Sequence, residues 1–195
     1  MDPVLPPPSK RTQSSLPMKC AADGPLNCVH HRVIIQDYRQ PIYESSSRVA
    51  LLVGMEGCIA GYESLYSKAG LLQSDISPQN LQDKGNPSWR SFLINLDLAI
   101  QAQRDKSSGA RGKTGTRVFM VISVLYGEQH SFMHDLKSFF WVLFWICIHY
   151  KGPGKARIVG HFEEWSYVNT EKLTDEKKGV ISDELDFLTG KQLCP

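Results

Sequence analysis

Asp75 and Asn80 stand five residues apart in Leu71-Leu72-Gln73-Ser74-Asp75-Ile76-Ser77-Pro78-Gln79-Asn80, and Asn95 and Asp97 follow in Leu93-Ile94-Asn95-Leu96-Asp97-Leu98-Ala99. A carboxylate can take the proton of an attacking hydroxyl, and a carboxamide oxygen can ligate a hard cation. Phosphoryl transfer asks for such groups, because it needs position and charge compensation more than covalent chemistry. The five-residue spacing lets one compact loop turn both side chains toward one phosphate, with Asp75 as base and Asn80 as magnesium ligand. A strand at Phe92-Leu93-Ile94 would deliver position 95 to the same point as a second metal ligand. Asp97 reads as a solvated residue after that strand, with a share in metal binding as the sharper alternative. By itself, Asp-x-x-x-x-Asn is a common spacing; its surroundings give it weight.

Those surroundings begin with a long helix. Ser45-Ser46-Ser47 offers N-cap hydroxyls, and Leu52, Met55, Ile59, Tyr62, Tyr66 and Ala69 follow the three-and-four spacing of one buried face. Gly54, Gly57 and Gly61 weaken that helix but permit close packing, and Gly70 is a natural C-terminal stop. Asp83-Lys84-Gly85-Asn86-Pro87 marks a turn. Arg104 to Gly115 reads as an exposed loop, with Arg104, Lys106, Arg111, Lys113 and Arg117 set against Asp105. Asp135 to Tyr150 is apolar on all sides and so belongs at the centre of a core, with Phe139, Phe140, Trp141, Phe144 and Trp145 as core residues. Glu171 to Lys178 reads as a solvated helix or turn. His130, His134 and His149 read as core or surface histidines rather than metal ligands.

Composition bounds the rest. The chain has 195 residues and is 42% hydrophobic, enough for one ordinary core. A Pro-rich leader at 1–29 (Pro3, Pro6, Pro7, Pro8, Pro17, Pro25) lacks the apolar surface to offset its ordering entropy and is expected to be disordered. Order is expected from a strand at Arg32-Val33-Ile34-Ile35, so one domain spans 30–195. A net charge of +2 gives no reason to expect nucleic acid. Five cysteines without a Cys-x-x-Cys pair point to reduced thiols, buried at Cys58 and Cys147, and so to an intracellular protein, cytoplasmic or nuclear. The apolar run Phe139 to Ile148 has ten residues against the roughly 20 of a spanning helix, so no membrane segment is expected.

The order of these parts matches the C-terminal lobe of a protein kinase: helix, Asp/Asn loop, apolar strand ending in Asn-Leu-Asp-Leu-Ala, flexible loop, then a buried helix. Gly115-Thr116-Arg117-Val118-Phe119-Met120, His130-Ser131-Phe132-Met133-His134-Asp135-Leu136 and Ser138-Phe139-Phe140-Trp141 together resemble the fungal-type protein kinase domain family. Ser45-Ser46-Ser47-Arg48-Val49-Ala50-Leu51 is similar to it too, and the likeness runs over roughly residues 30 to 190. The resemblance implies a mainly α fold with a few short strands, and ATP- and magnesium-dependent phosphoryl transfer to protein Ser or Thr. It implies Asp75 as base; Asn80, Asn95 and Asp97 at the metal; Asp135 as the buried support of the loop backbone; and Ser77 in the place of a catalytic-loop lysine. It also implies an activation loop at about 101 to 114, with Thr114 and Thr116 in the activation segment, and a hinge at Gln36 and Tyr38 that would touch the nucleotide.

The chain departs from the family pattern in several places. Asn95 stands where a magnesium-binding aspartate is usual, Gln73-Ser74 where His-Arg is usual, and Ser123 where a glutamate closes the activation segment. No Gly-rich loop or Val-Ala-Ile-Lys strand precedes Val33, so the N-terminal lobe is expected to be missing, and the abrupt end at Leu193-Cys194-Pro195 without a recognisable cap leads to the expectation of a truncated C-terminus. The expectation is a kinase domain with weak or absent activity, acting on or with another protein. The alternatives are a catalytically inactive scaffold, a small-molecule phosphotransferase using Asp75 and Asp97, and a truncated product without stable function.

Overall fold

The longest helix, α1 (Arg48–Ala69), begins where Ser47 leaves extended backbone and its side chain accepts the Ala50 N–H at 3.1 Å. It ends at Gly70, which takes the left-handed conformation (φ 63°) and returns its N–H to the carbonyls of Leu65 and Tyr66. Both ends fall where the serines and the glycine predict. This computed structural model describes residues 40–83, 91–103 and 115–182. The expected leader at 1–29, the strand at Arg32 to Ile35, the hinge positions Gln36 and Tyr38, the basic loop at 104–114 and Thr114 lie outside them.

The buried face of α1 differs from the expected one. Gly54, Met55, Cys58 and Tyr62 are buried, with Leu51 and Leu65 packed against the core, while Leu52, Ile59, Tyr66 and Ala69 are exposed. Apolar residues ring this helix, so spacing alone admits two stripes about one residue apart. The glycines choose between them. A Cβ at Gly57 would lie 3.1 Å from the Ser91 backbone nitrogen, and one at Gly54 would lie 3.4 Å from Ile42. The chain at 42 and 91 therefore presses onto the glycine side. A Cβ at Gly61 would meet nothing within 4 Å, so that glycine plays no such part.

Five short strands follow in order: β1 (Gln40–Pro41), β2 (Leu71–Leu72), β3 (Leu81–Asp83), β4 (Phe92–Leu93) and β5 (Ile100–Gln101). They form two antiparallel sheets, β1-β3-β4 and β2-β5. Gln82 pairs with Pro41 on one side and Phe92 on the other, and Leu72 pairs with Ile100. The chain thus crosses between the same two sheets twice. It leaves β2 to enter β3 through residues 73–80, and leaves β4 to enter β5 through residues 94–99. Two crossings between common anchors must run side by side, which brings Asp75 and Asn80 next to the turn of Asn95.

The remaining helices are the short α2 (Ile122–Leu125), the central α3 (Phe132–His149), the short α4 (Gly160–Glu163) and α5 (Thr170–Ser182). Helix α3 starts three residues before Asp135, because Ser131 and His134 form a reciprocal capping box and the Ser131 N–H bonds the imidazole at 3.1 Å. Asp135 is therefore in the first turn and is not the N-cap. Phe139, Trp141, Val142, Phe144, Ile146 and Ile148 are buried. Two expectations on α3 fail: Phe140 and Cys147 are exposed, since a helix flanked on only part of its circumference keeps an outward edge. At its end, the Arg157 guanidinium donates to the carbonyls of Cys147 and Ile148 and the Arg157 N–H to that of His149, satisfying three of the helix's orphan acceptors.

Helix α5 is less solvated than its charges suggest. Leu173, Thr174 and Lys177 are buried. The Lys177 ammonium donates to the Met120 carbonyl at 2.5 Å and lies 4.3 Å from the centre of the Trp141 ring. No helix among the described residues is long and apolar enough to cross a membrane.

Burial drives the Lys177 pKa down to about 7 from the ordinary lysine value of 10.5. Between those pH values the unfolded chain keeps a proton that the folded chain has released, so stability rises with pH across that window. Below pH 7 both states are charged, and the burial cost, on the order of 5 kcal/mol, is fully present. Urea titrations should therefore show wild type gaining stability relative to Lys177→Met between pH 7 and 10. A difference that stays flat with pH would mean that this amine is not buried as a cation.

Candidate active site

The loop at 73–80 rests on one buried carboxylate. Asp135 Oδ2 accepts the backbone N–H groups of Gln73 at 2.9 Å and Ser74 at 3.2 Å, while its Oδ1 lies 2.7 Å from His130 Nε2. These bonds accompany a left-handed backbone at Ser74 (φ 62°), a conformation uncommon outside glycine. Ser74 is also buried, and neither its hydroxyl nor Gln73 Oε1 has a hydrogen-bond partner among the described residues.

Gln73 stitches the two crossings together. Its side-chain amide donates to the carbonyls of Ile94 at 3.1 Å and Asn95 at 2.8 Å. At the other end of the loop, the Ile94 N–H donates to the Asn80 carbonyl at 2.9 Å. Glutamine stands at 73 where histidine is usual, and this side chain supplies two hydrogen bonds of its own beneath the loop. Asn95 is held through this backbone, at φ 60°. Its side chain is exposed and makes no hydrogen bond among the described residues, and Asp97, two residues on, is exposed as well.

Asp75 is clamped at both oxygens. Asn80 Nδ2 donates to Asp75 Oδ2 at 3.1 Å and to the Asp75 carbonyl at 2.9 Å. Thr116 donates its N–H and its hydroxyl to Asp75 Oδ1 at 2.8 and 2.9 Å. All three donors to the carboxylate are neutral. Thr116 arrives from 41 positions along the chain through Gly115, whose φ is 105°. A Cβ there would meet the Ser74 carbonyl oxygen at 2.5 Å and Asp75 Oδ1 at 3.4 Å, so only glycine passes. The resemblance implies an activation segment at Thr116 but says nothing of its bonds to Asp75. Those bonds carry no local signal, since nothing in either loop announces the other.

Among the described residues, no three His, Cys, Asp or Glu side chains are grouped to hold a metal ion. The oxygen donors at hand are the Asn80 side-chain carbonyl, whose amide nitrogen is committed to Asp75, and the side chains of Asn95 and Asp97. In type they suit a hard cation, and in charge they fall short of a carboxylate pair. A Ser-His pair elsewhere is structural. Ser123 Oγ lies 3.1 Å from His134 Nε2, but His134 Nδ1 accepts the Ser131 N–H, which leaves the proton on Nε2 and no base for a serine nucleophile. Burial also holds the His134 pKa below the ordinary value.

A family model described as fungal protein kinase matches residues 4–147, well over half of the chain. The span takes in Asp75, Asn80, Asn95, Thr116 and Asp135, and it starts inside the Pro-rich stretch set apart by composition. A search of curated proteins gave no match.

Gly115→Ala should cost about 1–3 kcal/mol of stability, because the added methyl meets backbone and the conformation itself is strained. Gly127→Ala is the control, since Gly127 also has a positive φ (96°) but nothing within 4 Å of the new methyl. Urea midpoints measured side by side should fall further for Gly115→Ala. Equal losses would show that Thr116 does not approach Asp75 this closely.

Proposed function

The chain belongs to the fungal protein kinase family, and from that premise we propose that residues 40–182 form the catalytic-loop half of a kinase-type site, corresponding to a C-terminal lobe. Asp75 takes the proton from a Ser or Thr hydroxyl of a protein substrate. Asn80 and Asn95, with Asp97 close by in sequence, are the residues that would hold magnesium through their side-chain oxygens. Magnesium and ATP, when bound, supply the phosphoryl group and neutralise its charge. Asp135 fixes the loop from below, and Thr116 fixes the orientation of Asp75. The single observation that carries this reading is the clamped Asp75 carboxylate, bonded to Asn80 and Thr116.

The proposed transfer is slow. Asn95 keeps an oxygen but not the negative charge that magnesium prefers, and each loss of about 1.36 kcal/mol in the transition state is tenfold in rate. A second reading is a non-catalytic module that binds another protein; the neutral side chain at 95 favours it. A small-molecule phosphotransferase has only the exposure of Asp97 in its support.

Transfer of the γ-phosphate from magnesium-ATP to casein separates these readings. Wild type should be barely active, Asn95→Asp should raise the rate at least tenfold, and Asp75→Asn in that background should abolish it. If neither wild type nor Asn95→Asp shows a magnesium-dependent thermal shift with ATP, the transfer reading fails and the binding module stands.

A further inference from the structure

Lys177 is a buried amine that the proposed chemistry does not use. Its one directional hydrogen bond is to the Met120 carbonyl, and its other neighbours are the faces of Trp141 and, at 5.7 Å, Trp165. Among the described residues it makes no ion pair. Burying an amine without an anion is costly, and a methionine or leucine would fill the same space without that cost. What the lysine adds over an apolar residue is the grip on one carbonyl. Trp rings accept a cation on their faces, which makes the position tolerable without making it directional.

The gripped carbonyl belongs to the segment that carries Thr116. One end of that segment is bonded to Asp75 through Thr116, and the other to α5 through Met120. A 3-10 turn, Arg117–Phe119, joins the two ends, with the Phe119 N–H on the Thr116 carbonyl at 3.0 Å and the Met120 N–H on the Arg117 carbonyl at 3.2 Å. The Met120 side chain folds back so that its Cε would lie 3.3 Å from a Cβ at Gly115. The Met120 side chain and Gly115 are therefore neighbours, and the hydrogen-bonded turn between them gives a short path from Met120 to Thr116. Arg117 adds a bond to the Val168 carbonyl at 2.9 Å, also on the α5 side. Ser123, where the family pattern puts a glutamate, is engaged with His134.

We propose that Lys177 is a positioning residue for the Asp75–Thr116 clamp, acting from α5 through Met120. The importance of this coupling for catalysis rests on the phosphoryl-transfer reading, whereas the coupling itself does not. Its test therefore reads the clamp directly.

Lys177→Met keeps the stem and removes the donor. Amide hydrogen exchange should then show the Thr116 N–H losing at least tenfold in protection while the amides of α1 keep theirs. Unchanged protection at Thr116, or a loss shared equally by α1, would overturn the proposal, the second because it marks a merely structural role. The reverse arm leaves the buried site intact. Coupling is reciprocal, so Thr116→Val, at an exposed position, should let acetic anhydride modify Lys177 several-fold faster relative to Lys172, which is exposed on the same helix. An unaltered Lys177-to-Lys172 ratio would overturn the proposal even if Lys177→Met fails to fold. Neither measurement involves ATP, so a failed kinase assay leaves both intact.

Discussion

A buried carboxylate is tolerable only when its lone pairs are occupied, and Asp135 meets that condition by taking the two N–H groups that open the loop at 73. The dependence is mutual. Without Asp135, two backbone donors would be left unsatisfied in the interior and Ser74 would have nothing to hold it at positive φ. Breaking such an arrangement by removing one partner typically costs about 3–5 kcal/mol, more than most single contacts. Asp135 is held in turn by the capping of α3, because Ser131 and His134 fix the first turn from which its side chain extends. His130 occupies the second oxygen. A local device at the start of the central helix therefore determines the geometry of a loop about 60 residues earlier in the chain.

The sheets do the complementary work. Strands of two or three residues contribute little stability, yet they fix both ends of each crossing. The loop at 73–80 and the turn at 94–99 are then held against each other by Gln73 and by the Ile94-to-Asn80 bond. This explains how the glutamine can stand where histidine is usual. The site needs a donor long enough to reach two carbonyls across the gap, and an amide provides two N–H groups.

What could be read from the sequence was mainly local. Ser47 and Gly70 bound α1 through bonds within one turn, so residue type was enough. The strand at Phe92 and the loop carrying Asp75 and Asn80 were also legible, because turn residues and apolar runs punctuate them. The inward face of α1 was not, since apolar residues encircle the helix and only a tertiary neighbour at Ser91 chooses the stripe. By residue type α3 starts at Asp135, the charged residue before the apolar run, but the Ser131–His134 box lies just upstream and opens the helix at Phe132. Lys177 was misread because a lysine in a run of charged residues (Asp175, Glu176, Lys178) is usually solvated, and nothing local tells of the two tryptophans that enclose it. The Asp75–Thr116 bond joins parts of the chain whose proximity only the fold creates.

On the proposed reading, the chain separates the two demands of phosphoryl transfer. Position survives: the base is clamped by three donors and the loop is anchored from below. Charge compensation is thinned at several points in the same direction. A neutral Asn95 weakens the hold on magnesium, which is itself the main positive charge near the transferring group. Ser77, buried in the place of a lysine, removes a second positive charge, and Ser74 offers none where an arginine is usual. These changes do not cancel, because losing a metal-binding carboxylate and losing a cationic side chain both leave the phosphates less neutralised. Electrostatic stabilisation is usually the largest single contribution to a rate, so a site that keeps its geometry while losing its charges retains the shape of the catalyst and little of its rate.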